Sequence, residues 1–153
     1  NIELSYKNFD LSAFFYGVNG IDVNTYVVKS ETDFWSINDV RSNKGTRLLD
    51  AWSPTNPDSN IPAITALNAN DEGRMSTYFV ENGSFLKLRN LQLGYTLPRK
   101  ISEKAYIERC RIYVSGQNLF TIKSKNFSGV DPENAGFGYP IPTTFTVGIN
   151  IGF

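Results

Sequence analysis

The sequence predicts an all-β fold, an antiparallel meander of about five strands. The clearest observation is that apolar residues occupy every second position of the last ten residues, which is the period of a β-strand with one apolar face. Aromatic residues make up 14% of the chain, and they favour strands. The connections between the predicted strands also alternate between short turns and long loops. Together these observations indicate strands that run back and forth, with the long loops on one side.

The closing stretch is the strongest strand. Its ten residues are about as many as a tilted membrane-spanning strand needs, roughly 9–11. One face carries polar or small residues, and the other must meet either lipid or a protein core; the length of the strand favours lipid. The predicted lipid-facing residues are Phe145, Val147, Ile149 and Ile151. Phe153, the last residue of the sequence, completes this apolar face.

The alternation places five strands at about 1–7, 9–18, 84–97, 107–121 and 143–153. The first two are separated only by Lys7 and Asn8, which predicts a tight hairpin. In the third strand the alternation changes phase near Asn90, because Leu86 and Leu88 do not share the parity of Leu91. Such a change indicates either a β-bulge or the end of the apolar zone.

Two long connections separate the strands, at 21–82 and 122–142. In the first, Thr32 or Asp33 could cap a short helix. Its predicted apolar positions are Phe34, Ile37, Val40, Leu48, Leu49 and Trp52. The following run from Trp52 to Pro62 contains three prolines, which predicts a stiff, ordered loop. Short turns alternating with long loops are typical of outer-membrane barrels, where the loops are extracellular.

The composition excludes several classes of function. With 15 basic and 15 acidic residues, the chain has no net charge that would favour nucleic acid. It contains no histidine, which removes imidazole metal sites and nucleophiles that depend on a histidine base. A single cysteine, Cys110, excludes an internal disulfide. Because the sequence begins inside a predicted strand, we expect it to be a fragment of a longer protein.

None of the candidate chemical motifs predicts an enzyme. Asn68 to Gly73 resembles the start of a calcium loop, but Phe79 stands where a bidentate glutamate is needed. The pair Asp131 and Glu133 is more typical of a turn than of a glycosidase. Arg109 and Arg111 flank Cys110, yet a structural thiol is the more common role. We therefore predict no catalytic residues, no metal and no cofactor.

Large aromatic residues in the two long loops are the candidates for recognition. They are Trp35, Trp52, Phe137 and Tyr139. Such rings stack on sugars or anchor protein partners, although they could also pack the loops against each other. The residues alone leave two functions open: a membrane transporter segment with recognition loops, or a soluble β-sandwich that binds a ligand. A small self-contained barrel would need about eight strands, more than the predicted five.

Several motifs together resemble a known family, the SusC/RagA-type TonB-dependent outer-membrane transporters of Bacteroidota. In chain order these motifs are YKNFDLSAFFYGVNG, WSPTNPDSNIP, FVENGSFLKLRNLQLGYTLP, RIYVSGQNLFT, FSGVDPE and YPIPTTFTVGINIGF. Their order and spacing cover nearly the whole chain. The resemblance implies that the chain is the C-terminal part of a barrel of roughly 22 strands, whose lumen holds a plug.

The resemblance also implies a function. Members of the family import oligosaccharides or peptides across the outer membrane together with a SusD-like surface lipoprotein, and they couple to TonB through an N-terminal region that is absent from the given sequence. Phe153 resembles the terminal aromatic residue that the barrel assembly machinery reads. The expected partners are thus the lipoprotein, the remainder of the same barrel and plug, TonB and the lipid bilayer, with no nucleic acid.

Overall fold

The computed structural model describes residues 1–34, 41, 43–65 and 71–153. These residues form two compact units. The first, here called the sheet unit, comprises Asn1–Asn19, Phe85–Lys123 and Ile141–Phe153. The second, the loop unit, comprises Gly20–Ser84 and Ser124–Pro140. Within the described ranges, no helix is both long enough and apolar enough to cross a membrane.

The described residues contain seven strands. In order they are β1 (Ile2–Tyr6), β2 (Phe9–Val18), β3 (Asp22–Asn24), β4 (Val80–Asn82), β5 (Phe85–Thr96), β6 (Arg109–Lys123) and β7 (Thr144–Gly152). Five of them form one antiparallel sheet in the order β1-β2-β5-β6-β7. The predicted five-stranded antiparallel meander is therefore confirmed. Two further three-residue strands, β3 and β4, pair only with each other.

One face of the five-stranded sheet is apolar across all its strands, because residues paired across neighbouring strands share a face. One row of paired residues consists of Leu4, Leu11, Leu93, Val114 and Val147. The next consists of Tyr6, Phe9, Tyr95, Ile112 and Ile149. We call this surface the apolar face.

The opposite surface, here called the polar face, carries Glu3, Ser12, Gln92, Ser115 and Thr146 in one row. On this face Arg111 forms a two-pronged ion pair with Asp10, in which Arg111 Nε lies 2.9 Å from Asp10 Oδ1. A Cβ atom on Gly94 would overlap both partners of this pair. Glycine at this position thus allows the arginine side chain to lie along the sheet.

The change of phase in the third predicted strand is a β-bulge. Against β2, the register of β5 skips Arg89, since Phe14 pairs with Asn90 and Phe15 pairs with Leu88. On the other side of β5, strand β6 has its own irregularity between Gln117 and Phe120. There Asn118 has a φ of 53°, a left-handed conformation that asparagine tolerates better than most residues. The bulge returns apolar residues to the apolar face on its far side.

The connection between β5 and β6, predicted as a simple polar turn, contains two short helical turns. They are α2 (Arg99–Ser102) and a 3₁₀ turn at Glu103–Ala105. Pro98 precedes α2 with a φ of −57°, an angle already suited to a helix start. The other α-helix, α1, lies in the loop unit and spans Tyr26–Thr32.

The first long loop contains a short helix, as predicted, but at a different position. We expected Thr32 or Asp33 to begin a helix, whereas α1 ends at Thr32 and Asp33 is its C-terminal cap. The Asp33 carboxylate is fully buried and is bound by side chains distant in sequence, so tertiary partners take its acceptor positions. The predicted helical positions Ile37 and Val40 lie outside the described residues, whereas Leu48 and Leu49 lie in a 3₁₀ turn at Thr46–Asp50.

Candidate recognition site in the loop unit

The proline-containing loop after the 3₁₀ turn is held by its own hydrogen bonds. The Trp52 backbone N–H donates to the Ile61 carbonyl at 2.8 Å, which closes the loop. Within it, the Asn56 side-chain amide donates to the backbone carbonyl and the carboxylate of Asp50 at 3.1 and 3.0 Å. Leu48, Ala51 and Ile61 form a small core beneath it. The Trp52 side chain remains 45% exposed.

Two of the other candidate aromatic residues, Phe137 and Tyr139, are exposed to solvent. Phe137 is 59% exposed and Tyr139 is fully exposed. Among the described rings, neither of these two stacks on another aromatic ring. Packing of loops against each other therefore does not account for Tyr139. Trp35 lies outside the described residues.

A buried polar network fastens the loop unit. Both oxygens of the Asp33 carboxylate are occupied: Arg47 Nε lies 2.7 Å from Oδ1, and the Tyr78 hydroxyl donates to Oδ2 at 2.7 Å. Thr32 Oγ1 donates to Oδ1 at 2.8 Å, and Arg47 Nη2 donates to Oδ2 at 3.0 Å. Burial and the hydrogen bond to Asp33 raise the pKa of Tyr78, so its hydroxyl keeps the proton that it donates.

A second buried pair links α1 to β4. Lys29 Nζ lies 2.9 Å from Glu81 Oε1, and both side chains are almost fully buried. Glu81 Oε2 accepts hydrogen bonds from the backbone N–H and the hydroxyl of Ser128, both at 2.8 Å. Burial by itself raises the pKa of Glu81, but the bonds from Ser128 and Lys29 outweigh it and hold the pKa below its usual value. Glu81 therefore joins both chain segments of the loop unit as a carboxylate.

An aromatic cluster surrounds these ion pairs. Phe79 is only 1% exposed, and its ring centroid lies 4.8 Å from that of Tyr26 and 5.5 Å from that of Tyr78. Lys29 Nζ lies 4.2 Å from the centroid of Tyr78, within range of a cation–π interaction. This cluster has no local signal in the sequence, because its members come from α1 and from the residues just before β4.

Next to this network the loop unit has an open cleft of about 360 Å³, which falls at the small end of ligand-site volumes. We call it the basic cleft. It is lined by Lys29, Arg47, Asn60, Ile61, Tyr78, Glu81, Lys125, Asn126 and Phe127. These residues are not recognisable as a site from the sequence, since the strand and loop patterns do not reveal which loop positions meet.

The predicted lipid-facing residues all lie on strand β7, and all are exposed. The exposed fractions are 71% for Phe145, 74% for Val147, 60% for Ile149 and 50% for Ile151. Their pairing with residues of β6 places them on the apolar face. Phe153 follows the strand and is 86% exposed. In the described part of the chain, no cluster of three or more acidic, cysteine or histidine side chains could hold a metal ion.

Comparisons with known proteins identify relatives along the whole chain. No protein-family model matches the sequence. TonB-dependent receptor P3 of Formosa agariphila is 33% identical over 100% of this chain. TonB-dependent receptor SusC of Bacteroides thetaiotaomicron is 32% identical over 99% of it. The chain spans only 16% and 14% of the lengths of these two relatives, whose names describe receptors rather than enzymes.

Solved structures agree with these relatives. A structure of the RagAB peptide transporter matches 97% of this chain with a TM-score of 0.70 and 29% identity. The RagAB peptide importer in its open-open state matches the same share with a TM-score of 0.73 and 28% identity. In both, the match covers 16% of the other chain, so the five-stranded sheet corresponds to part of a larger barrel. The chain belongs to the TonB-dependent receptor family, and within it to the SusC/RagA type.

Proposed function

We propose that the chain is the C-terminal portion of an outer-membrane transporter that imports oligosaccharides or peptides together with a SusD-like lipoprotein. The observation that carries the proposal is the division of the chain into a sheet unit with one apolar face and a loop unit with its own buried network. The sheet unit would form barrel wall, and the loop unit would serve recognition outside the cell. The plug and the contact with TonB would come from the rest of the protein.

The apolar face supports a lipid-facing wall rather than a soluble β-sandwich. A sandwich buries the apolar face of each sheet against a second sheet. Here Leu4, Leu93, Val114 and Val147 are each at least 43% exposed. A barrel wall needs no such cover, since the bilayer solvates the apolar face. In a closed barrel, hydrogen bonds between neighbouring strands pair all backbone N–H and C=O groups. The peptide cargo named for RagAB supports peptides as one substrate class.

Docking of the lipoprotein tests the recognition role of the loops. In the full-length transporter, replacing both Phe137 and Tyr139 with alanine is expected to weaken the complex with its SusD-like lipoprotein at least tenfold. The reason is that exposed aromatic rings are frequent binding hot spots. The affinity would be measured by surface plasmon resonance on detergent-solubilised transporter.

Tyr106→Ala is the matched control for this experiment. Tyr106 is 93% exposed, but it lies in the short connection between β5 and β6, at the other end of β6 from the loop that carries Tyr139. The control is expected to bind the lipoprotein normally. Equal affinity of the double variant and the wild-type transporter would contradict a docking role for these two rings.

Phe153 is proposed to act as an assembly signal. Deleting Phe153 from the full-length protein is expected to lower its amount in the outer membrane severalfold, because an apolar aromatic group at the strand end is lost. Phe153→Tyr keeps an aromatic ring and is expected to assemble normally. The amounts would be measured by immunoblotting of outer-membrane fractions. Normal amounts of the deletion variant would show that this residue is dispensable.

A further inference from the structure

We propose that the basic cleft binds a carboxylate group carried by a small extracellular solute. The proposal names a substrate chemistry for the recognition loops, and for its biological use it rests on the proposed function. It comes from an inventory of hydrogen-bond donors and acceptors in the cleft. The residues that supply charge are Lys29, Arg47, Glu81 and Lys125 at the cleft and Asp33 behind it.

The two carboxylates at or behind the cleft can accept few further hydrogen bonds. Asp33 accepts four hydrogen bonds, from Thr32, Tyr78 and twice from Arg47, which fills its usual lone-pair positions. Glu81 accepts three, one from Lys29 and two from Ser128. Neither acid is thus available to receive a cation from outside. A ligand that enters the cleft has to be recognised mainly by donors.

Lys29 is occupied, since its ammonium binds Glu81 and the Tyr78 backbone carbonyl, but the other two cations have unused donors. Arg47 uses Nε and Nη2 to hold Asp33, and in the described part of the chain Nη1 has no partner. The Arg47 side chain is 42% exposed and lines the cleft. Lys125 is exposed at the cleft and has no ion-pair partner among the described residues. Three cations face two carboxylates, which leaves one net positive charge.

The remaining lining suits the body of a small solute. Asn60 and Asn126 are exposed amides that can donate to an oxyanion or bond a hydroxyl. Ile61, Tyr78 and Phe127 supply apolar surface on the same cleft. Because Asp33 fixes the orientation of Arg47, the guanidinium is already positioned before a ligand arrives, which reduces the entropic cost of binding. A carboxylate on a small body with both polar and apolar surface matches these features.

Two pairs of probes that differ only in charge test the proposal, using the full-length transporter in detergent and isothermal titration calorimetry. The first pair is glucuronate and glucose, and the second is N-acetylalanine and N-acetylalaninamide. At least one of the anions is expected to bind with a Kd of about 1 mM, and the neutral partner at least tenfold more weakly. The pair that responds distinguishes a sugar acid from a peptide carboxylate.

Two substitutions locate the binding in the cleft. Lys125→Gln removes one cation, and Asn126→Asp adds a carboxylate of the same shape; each is expected to weaken anion binding at least fivefold. Lys100→Gln, at an exposed lysine of α2 in the sheet unit, is the control and is expected to bind normally. Equal binding of charged and neutral probes, absence of saturable binding, or binding unaffected by both cleft variants would each overturn the proposal. These readouts do not depend on uptake or on lipoprotein docking, so the proposed function stands or fails separately.

Discussion

Arginine at Val147 or Ile149 is expected to lower the free energy of unfolding of the full-length protein by about 2–4 kcal/mol. Both side chains lie on the apolar face, where Val147 is 74% and Ile149 is 60% exposed. In a bilayer these positions would meet acyl chains, which do not solvate a guanidinium. Urea-induced unfolding in lipid vesicles, followed by tryptophan fluorescence, measures the change.

Thr146 and Asn150 supply the controls, since they lie on the polar face of the same strand. Arginine at either position is expected to change the unfolding free energy by less than about 1 kcal/mol. If both faces of the sheet were buried in a soluble protein core, arginine would destabilise the protein on either face. Equal destabilisation of the two sets of variants would therefore show that the apolar face does not meet lipid.

Replacing Asp33 with alanine is expected to destabilise the loop unit by about 3–5 kcal/mol, the usual cost of removing one partner of a buried ion pair. Asp33 is fully buried and binds both Arg47 and Tyr78. Without the carboxylate, a guanidinium and a phenol lose their acceptor. Native-state hydrogen exchange at the backbone amides of β3 measures the effect. β3 pairs with β4, and β4 begins directly after the segment in which Tyr78 binds Asp33.

Asp58→Ala is the control for this second prediction. Asp58 is an exposed acid of the same unit, and its removal is expected to leave the exchange rates of β3 unchanged. The amides of β6, in the sheet unit, are expected to keep their protection in both variants. If Asp33→Ala accelerates exchange in β3 no more than Asp58→Ala does, the buried network does not hold the unit together.

The five-stranded sheet could be predicted because its signal is local. Alternation with a period of two is visible within each strand, and the bulge near Arg89 appears in the sequence as a change of phase. The strands of the loop unit could not be found in this way. β3 and β4 have three residues each, too few to show a period, and more than fifty residues separate them.

The candidate site was predictable only in part, for the same reason. Loop aromatics such as Trp52 and Tyr139 can be selected by residue type and position alone. The basic cleft cannot, because Lys29, Arg47 and Lys125 come from three separate stretches of chain. Asp33 shows the difficulty most clearly: its residue type predicts a helix cap, but its side chain serves a buried ion pair formed with Arg47.

The two ends of the long first loop lie close together. Val18 pairs with Phe85 in the sheet unit, and in the loop unit the Gly20 backbone N–H donates to Ser84 Oγ at 2.9 Å. A segment whose two ends lie close together can be inserted or replaced without moving the elements that flank it. Glu81, however, binds Ser128 of the second loop. Recombination between relatives is therefore expected to transfer both loops together, because exchange of the first loop alone would leave Ser128 without its partner.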